Sequence, residues 1–324
     1  MKLKSNLSAL VAILIGVLSV GANAAVRKGP YMIYEGANTE MRLLWQLDTS
    51  QSCTIEWGET VSYGNSDTTS EYGNDHQYTY TITGLTPGVK YYYRVVGVGS
   101  GSFTAAPPNN ATDVKFLAYG DTRSYPADQD AVCAQMITTY MNDPAFQTIT
   151  LHVGDWVSNG DSESDWTVQF FDPTYANINA FQANMPLNGC RGNHEKSGNL
   201  FYKYFPYPYV NNFYWSYDYG PLHIAVVDQY TWNANQRDWL ENDLASSTKQ
   251  WKLILLHEPG WSAGGGHSNN STVQNDIQPL CLAYGVDFVV GGHNHYYARC
   301  DVDGVHHITT GGGGAPRIGA VTGS

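Results

Sequence analysis

The chain has 324 residues, 42% hydrophobic, 13% aromatic and only 14% charged, with a formal net charge of −12. That apolar content excludes a disordered chain, and the length allows more than one domain around a large core. The acidic balance excludes a global basic field for nucleic acid or an anionic membrane, so an anionic partner would have to be drawn by a local positive charge such as a bound metal.

Lys2 and Lys4 precede an apolar run from Leu7 to Val20, and Ala22-Asn23-Ala24 supplies an A-x-A cleavage site. Residues 1–24 therefore predict a secretory signal peptide and an exported, secreted or periplasmic protein. The run is short of the ~20 residues a membrane span needs, and no later stretch is long and apolar enough, so no span is expected once the signal is removed. Five cysteines follow, Cys53, Cys133, Cys190, Cys281 and Cys300. Their wide spacing is not that of a zinc knuckle, an odd count leaves at least one unpaired, and Cys281 with Cys300 is a candidate disulfide.

Residues 25–106 alternate with period two. Met41, Leu43, Trp45 and Leu47 alternate with Arg42 and Gln46; Tyr78, Tyr80 and Ile82 alternate with Thr79 and Thr81. Such alternation predicts strands with one buried face, and the intervening Gly and Asn clusters predict the turns of an all-β sandwich. Leu85-Thr86-Pro87-Gly88-Val89-Lys90-Tyr91 resembles the tyrosine corner of fibronectin type III domains, with Tyr91 at the corner. Pro107-Pro108-Asn109-Asn110 marks a linker over 107–112.

From 113 to 324 one device recurs: an apolar run that ends in a polar donor. Residues 114–119 end at Gly120-Asp121, and 148–153 at Gly154-Asp155. Residues 185–191 end at Gly192-Asn193-His194-Glu195, 251–256 at His257, and 286–290 at Gly291-Gly292-His293-Asn294-His295. Runs without clean alternation predict strands buried on both faces, and helices are expected between them at 128–141, 236–244 and 275–283. The pattern is that of an α/β domain whose ligands gather beyond the strand carboxyl ends. Asp121, Asp155, Asn193, His257, His293 and His295 form a donor set suited to two borderline ions such as zinc, iron or manganese. His293 and His295, two apart in an extended turn, point the same way, so one can serve each ion.

In this order, those five motifs resemble the signature of the calcineurin-like metallophosphoesterases. The preceding sandwich and the run Gly292-His293-Asn294-His295-Tyr296-Tyr297-Ala298-Arg299 narrow the resemblance to purple acid phosphatases. It implies a fibronectin type III-like sandwich followed by a layered α-β-β-α catalytic domain with mixed sheets. It also implies that Asp155 bridges two ions, that Asp121 and His295 bind the first, and that Asn193, His257 and His293 bind the second. His194 would protonate the leaving alkoxide, Glu195 would orient His194, and His267 would contact phosphate. Two positions depart from the pattern. Ser158 stands where purple members carry a tyrosine, so no purple colour is expected. Arg123 stands where other members carry a histidine, and its guanidinium suits either bidentate phosphate contact or an ion pair with a nearby acid.

Other residues carry structural expectations. His152 is expected beneath the site or in the core, and His306 and His307 on opposite faces of a strand. His223 is expected to be structural, and His76 to lie on the sandwich surface. Trp156, Trp232 and Trp261 are candidates to wall the cleft, core or surface packing being at least as good a reading for each. The expected activity is hydrolysis of small phosphomonoesters, with a metal-bound hydroxide attacking phosphorus and His194 as general acid. A phosphodiester or nucleotide substrate is the alternative within the class, and a non-catalytic surface-binding module on the same fold is the alternative outside it.

Overall fold

The computed structural model describes residues 24–319. The apolar leader from Leu7 to Val20 lies outside the described residues, among which no helix is long and apolar enough to cross a membrane. Seven strands come first: β1 (Val26–Ile33), β2 (Met41–Leu47), β3 (Cys53–Gly58), β4 (Asn65–Thr69), β5 (Gln77–Ile82), β6 (Lys90–Val95) and β7 (Gly99–Thr104). They form two antiparallel sheets, ordered β1-β2-β5 and β4-β3-β6-β7. Leu43, Trp45, Ile55, Tyr78, Tyr93 and Phe103 are buried, and Trp45 stacks on Tyr78 with ring centroids 5.5 Å apart. The Thr86 N–H donates to Tyr91 Oη at 3.0 Å, which fixes the corner before β6 as a tyrosine corner does.

β2 departs from the expected alternation. Gln46 is fully buried, because the second half of the chain covers this end of the sheet. Lys28 Nζ, itself without exposure, donates to Gln46 Oε1 at 2.8 Å and to Glu163 Oε1 at 2.6 Å. Tyr34 and Asn188 exchange two hydrogen bonds of 2.8 and 2.9 Å across the same junction. One continuous apolar core runs from the sandwich into the second half.

That half contains β8 (Leu117–Tyr119), α1 (Pro126–Asn142), β9 (Thr150–His152), the single turn α2 (Glu163–Asp165), α3 (Ala176–Asn184), β10 (Leu187–Gly189) and α4 (Asn199–Tyr204). It continues through β11 (Trp215–Tyr219), β12 (Leu222–Val226), α5 (Ala234–Ser246), β13 (Trp251–Leu255), α6 (Gln278–Tyr284), β14 (Phe288–Gly291), β15 (Tyr297–Val302) and β16 (Val305–Thr310). β10-β9-β8 form a parallel sheet, and β11-β12-β13-β14-β16-β15 a mixed one whose two edge strands are antiparallel. Ile224, Val226, Leu253, Leu255 and Val290 face the core shared with α1 and α3. Ala225, Val227, Ile254, Leu256 and Val289 face a second core under α5 and α6. Both faces of the central strands are thus covered, as their unbroken apolar runs require. The layers are helix, sheet, sheet, helix, behind an all-β sandwich, as the sequence predicts.

Helix boundaries follow local chemistry. Pro126 opens α1, and the Asn233 side chain caps α5 by accepting from the Asn235 and Gln236 N–H groups. The helix expected over 275–283 begins as a π turn, Val273–Ile277, before α6. The candidate Cys281–Cys300 disulfide is not formed, and all five cysteines are free. Cys281 is buried in the core under α6, whereas Cys300 sits on edge strand β15 opposite His307. His307 is buried and His306 exposed, as their alternation requires, and His76 lies partly exposed beside Glu71.

His223 on β12 is held between two carboxylates, with Nδ1 2.9 Å from Asp218 Oδ1 and Nε2 2.8 Å from Asp243 Oδ2. Burial disfavours its imidazolium, but the two aspartates outweigh this and raise the pKa to about 9. A raised folded-state value means stabilisation complete below the unfolded value of ~6.5 and lost as pH climbs through about 9. Discounted for the half-exposed Asp218, the loss is about 2 kcal/mol. Urea melts of wild type and His223→Gln should differ most near pH 6 and converge near pH 10; a gap independent of pH would refute the coupling.

Candidate metal centre

The loops after β8, β9, β10, β13 and β14 meet at one end of the two sheets and bring the six predicted donors together. Two triads have ligand atoms all within 4.8 Å of one another: Asp121, Asp155 and His295, and Asp155, His257 and His293. Asp155 belongs to both. Asn193 completes the second group, with Oδ1 3.2 Å from His257 Nε2. His257 Nε2 also lies 3.2 Å from His293 Nδ1 and 3.4 Å from Asp155 Oδ1. In the first group His295 Nε2 is 3.6 Å from Asp121 Oδ1.

The backbone is bent to make this approach. Asp121, Asp155 and His293 have φ of 55°, 55° and 64°, the left-handed region that costs an ordinary residue about 1–2 kcal/mol. Strain of this kind at three donors of one cluster marks a functional site. Gly192 and Gly292 allow the closest passes: a Cβ on Gly192 would overlap Asp155 Oδ1, and one on Gly292 would overlap Asp121 Oδ2.

Backbone carbonyls set the imidazole tautomers. His257 Nδ1–H donates to the Val153 carbonyl at 2.6 Å and His295 Nδ1–H to the Pro316 carbonyl at 2.5 Å, so each Nε2 faces the centre. Burial, then the neighbouring His257, pushes His293 down to about 3, and burial lowers His295. Both shifts favour the neutral imidazole, the form a metal requires. Burial opposes a charged His257, but Asp155 and Asp121 raise it to about 10. Burial opposes the Asp155 charge as well, yet His257 and His194 hold that carboxyl well below its ordinary value. Burial pushes Asp121 well above its ordinary value, with the charge of Asp155 adding to the effect. Two buried carboxyl groups, three imidazoles and an amide oxygen converge as a donor set that fits divalent metal ions.

The remaining predicted residues fall as follows. His194 lies at the rim, with Nδ1–H donating to the Ser158 carbonyl at 2.7 Å and Nε2 3.8 Å from Asp155 Oδ2. Its backbone N–H donates to Asp155 Oδ1 at 3.0 Å. Glu195 has a different job from the one expected. Its buried carboxylate accepts from the N–H groups of Gly192, Asp155 and Trp156 at 2.6, 3.0 and 2.8 Å, so it pins two ligand-bearing turns while Ser158 orients His194. Burial, then the Asp155 charge, pushes Glu195 up to about 7. Exposed His267 lies over the His293 ring with centroids 3.9 Å apart. Arg123 turns inward: Nε is 3.3 Å from Asp155 Oδ2 and Nη2 3.4 Å from His295 Nε2.

Trp156 does not wall the cleft. It is fully buried beneath the site, stacked on His152 at 3.6 Å with its Nε1–H on the Cys190 carbonyl. Half-buried Trp232 donates to Asp276, and Trp261 packs on His307 at 4.7 Å. His152 sits where expected, buried against Thr122 Oγ1 at 3.2 Å. Three supports escaped sequence reasoning. Gln229 Oε1 accepts from the His257 and Glu258 N–H groups, Asn294 Oδ1 accepts from the His267 N–H, and buried Arg191 pairs through two bonds with Asp228. The only sequence signal for any of them is Asn294, lodged between two donor histidines.

A layered α/β domain that gathers such donors at its strand ends defines the metallophosphoesterase class. Residues 114–297 match the model of the calcineurin-like phosphoesterase family, and the chain belongs to that family. Within it, the resemblance to purple acid phosphatases extends over the sandwich. The chain is 25% identical over 324 aligned positions to purple acid phosphatase 18 of Arabidopsis thaliana, covering 85% of this chain and 68% of that one. It is 25% identical over 262 positions to purple acid phosphatase 15 of the same plant, covering 67% and 48%, so it spans about half the length of that relative. The fold is similar to that of purple acid phosphatase PPD1 from yellow lupin seeds, with a TM-score of 0.75 at 20% identity over 92% of this chain and 67% of that one.

Proposed function

We propose that this chain is an exported, metal-dependent hydrolase of small phosphomonoesters. The observation that supports this most directly is Asp155, whose carboxylate belongs to both donor groups. Asp121, Asp155 and His295 would hold one ion, and Asp155, Asn193, His257 and His293 the other. When bound, such ions supply an activated water and neutralise charge on a phosphoryl group.

The chain supplies the rest. The Ser158 carbonyl accepts a hydrogen bond from His194 Nδ1–H and leaves Nε2 aimed at the centre, where it can deliver a proton to a departing oxygen. His267, tilted over the His293 ring, would contact the incoming phosphate. Glu195 holds the turns after β9 and β10 in register, so that Asp155 and Asn193 keep their places relative to His194.

Hydrolysis of p-nitrophenyl phosphate and bis-p-nitrophenyl phosphate, before and after chelation and on refilling with zinc, iron or manganese, tests the reading. The monoester should be preferred, and chelation should lower turnover by about 10³-fold or more with recovery on refilling. Chelator-insensitive turnover would overturn the metal assignment. Inactivity under every metal would favour a non-catalytic binding module.

A further inference from the structure

The two donor groups are unequal, and Arg123 makes them so. The second group offers four ligand atoms: Asp155 Oδ1, Asn193 Oδ1, His257 Nε2 and His293 Nδ1. No arginine or lysine hydrogen-bonds to them among the described residues. Four such donors complete a tetrahedral shell for an ion like zinc. The first group offers Asp121, Asp155 and His295. Two of those three residues already meet the guanidinium, Asp155 Oδ2 at 3.3 Å from Nε and His295 Nε2 at 3.4 Å from Nη2.

A guanidinium has five donors and no lone pair, so Arg123 cannot act as a fourth ligand there. It cannot shed its proton either, so it stays a cation beside the place an ion would occupy. Its side chain is only 15% exposed and is tethered on both sides. Nη1 donates to Ser124 Oγ at 3.2 Å, and its own backbone N–H donates to the Asp155 carbonyl at 3.3 Å. Its charge answers Asp155 at short range in a buried setting, where like-charge repulsion of an incoming ion is weakly screened.

We propose that Arg123 is the resident cation of the first donor group, so that the chain holds one metal ion firmly, on Asp155, Asn193, His257 and His293, and a second only weakly, in competition with the guanidinium. The inference rests on these six residues being ligands, as argued above. It replaces a symmetric pair of ions with one ion and one fixed organic cation.

Calorimetric titration of the chelator-stripped full chain with zinc tests this without reference to turnover. Wild type should show one tight event and a second weaker by about 100-fold or more. Arg123→Gln, which shortens the side chain and removes the charge, should narrow that gap at least tenfold and retain close to two zinc ions per chain after gel filtration. Arg123→Lys should keep the wild-type asymmetry. Two equally tight events in wild type would overturn the proposal, and that titration decides the matter even if a variant fails to fold. A gap unchanged in both Arg123→Gln and Arg123→Ala would overturn it as well, while leaving the ligand assignment standing. Failure of wild type to bind any zinc would instead remove the ligand assignment, and this inference with it.

Discussion

Asp155→Ala is expected to abolish turnover, lowering kcat/KM by about 10⁴-fold, on the order of 5 kcal/mol of transition-state stabilisation. The same substitution should strip most of the bound metal, because among the described residues this carboxylate is the only side chain that belongs to both donor groups. The cause goes beyond a lost ligand. Its Oδ1 accepts the His194 N–H and faces His257, while its Oδ2 faces Arg123 and His194 Nε2. Removing it leaves the buried Arg123 guanidinium without its counter-charge, a class of change that costs about 3–5 kcal/mol when one partner of a buried pair is deleted. Alanine at φ 55° adds backbone strain of about 1 kcal/mol. Asp155→Asn separates these effects. Asparagine tolerates the left-handed conformation and can still accept the His194 N–H, so the fold should survive, yet its amide is a poor bridging ligand. Metal analysis and kinetics of a folded Asp155→Asn protein decide the point: wild-type-like turnover, or full metal content, would end the bridging assignment.

The donors themselves are legible in the sequence because each follows an apolar strand without a gap. Asp121, Asp155, His257 and His293 stand within three residues of the ends of β8, β9, β13 and β14, so hydrophobic runs point straight at them. Strand length is less legible. β8, β9 and β10 pair over only three residues each, although the apolar runs are about twice as long; in β8 the unpaired residues 114–116 precede the ladder and are exposed or half-buried. Arg123, Glu195 and Ser158 show a deeper limit. Composition marks Arg123 and Glu195 as charged and says nothing of partners. Glu195 binds the N–H groups of Asp155 and Trp156 some forty positions away, and Ser158 contributes a carbonyl that no side-chain pattern records. The burial of Gln46 is hidden for the same reason: its cause, Glu163 meeting Lys28, is a contact between halves of the chain. The candidate Cys281–Cys300 pair fails likewise, since nearness in sequence does not say that one thiol is buried on helix α6 while the other sits on the edge strand β15.

His194→Ala is expected to separate chemistry from metal binding. The ring touches the centre only through Nε2, 3.8 Å from Asp155 Oδ2, while the hydrogen bond that supports Asp155 comes from the backbone N–H, which alanine keeps. Metal content should therefore stay at the wild-type level. Turnover should fall by about 10²–10⁴-fold, the range a positioned general acid contributes. That loss should depend on the leaving group. An alkoxide must be protonated as it departs, whereas p-nitrophenolate leaves as a stable anion, so an alkyl phosphate should lose more than p-nitrophenyl phosphate by at least about tenfold. His194→Gln sharpens the test, since its amide can donate to the Ser158 carbonyl without carrying a transferable proton; it should match alanine in rate while preserving the local packing. Equal losses on both substrates would assign His194 to binding the phosphoryl group rather than to the proton, and a parallel loss of metal would assign it to holding Asp155.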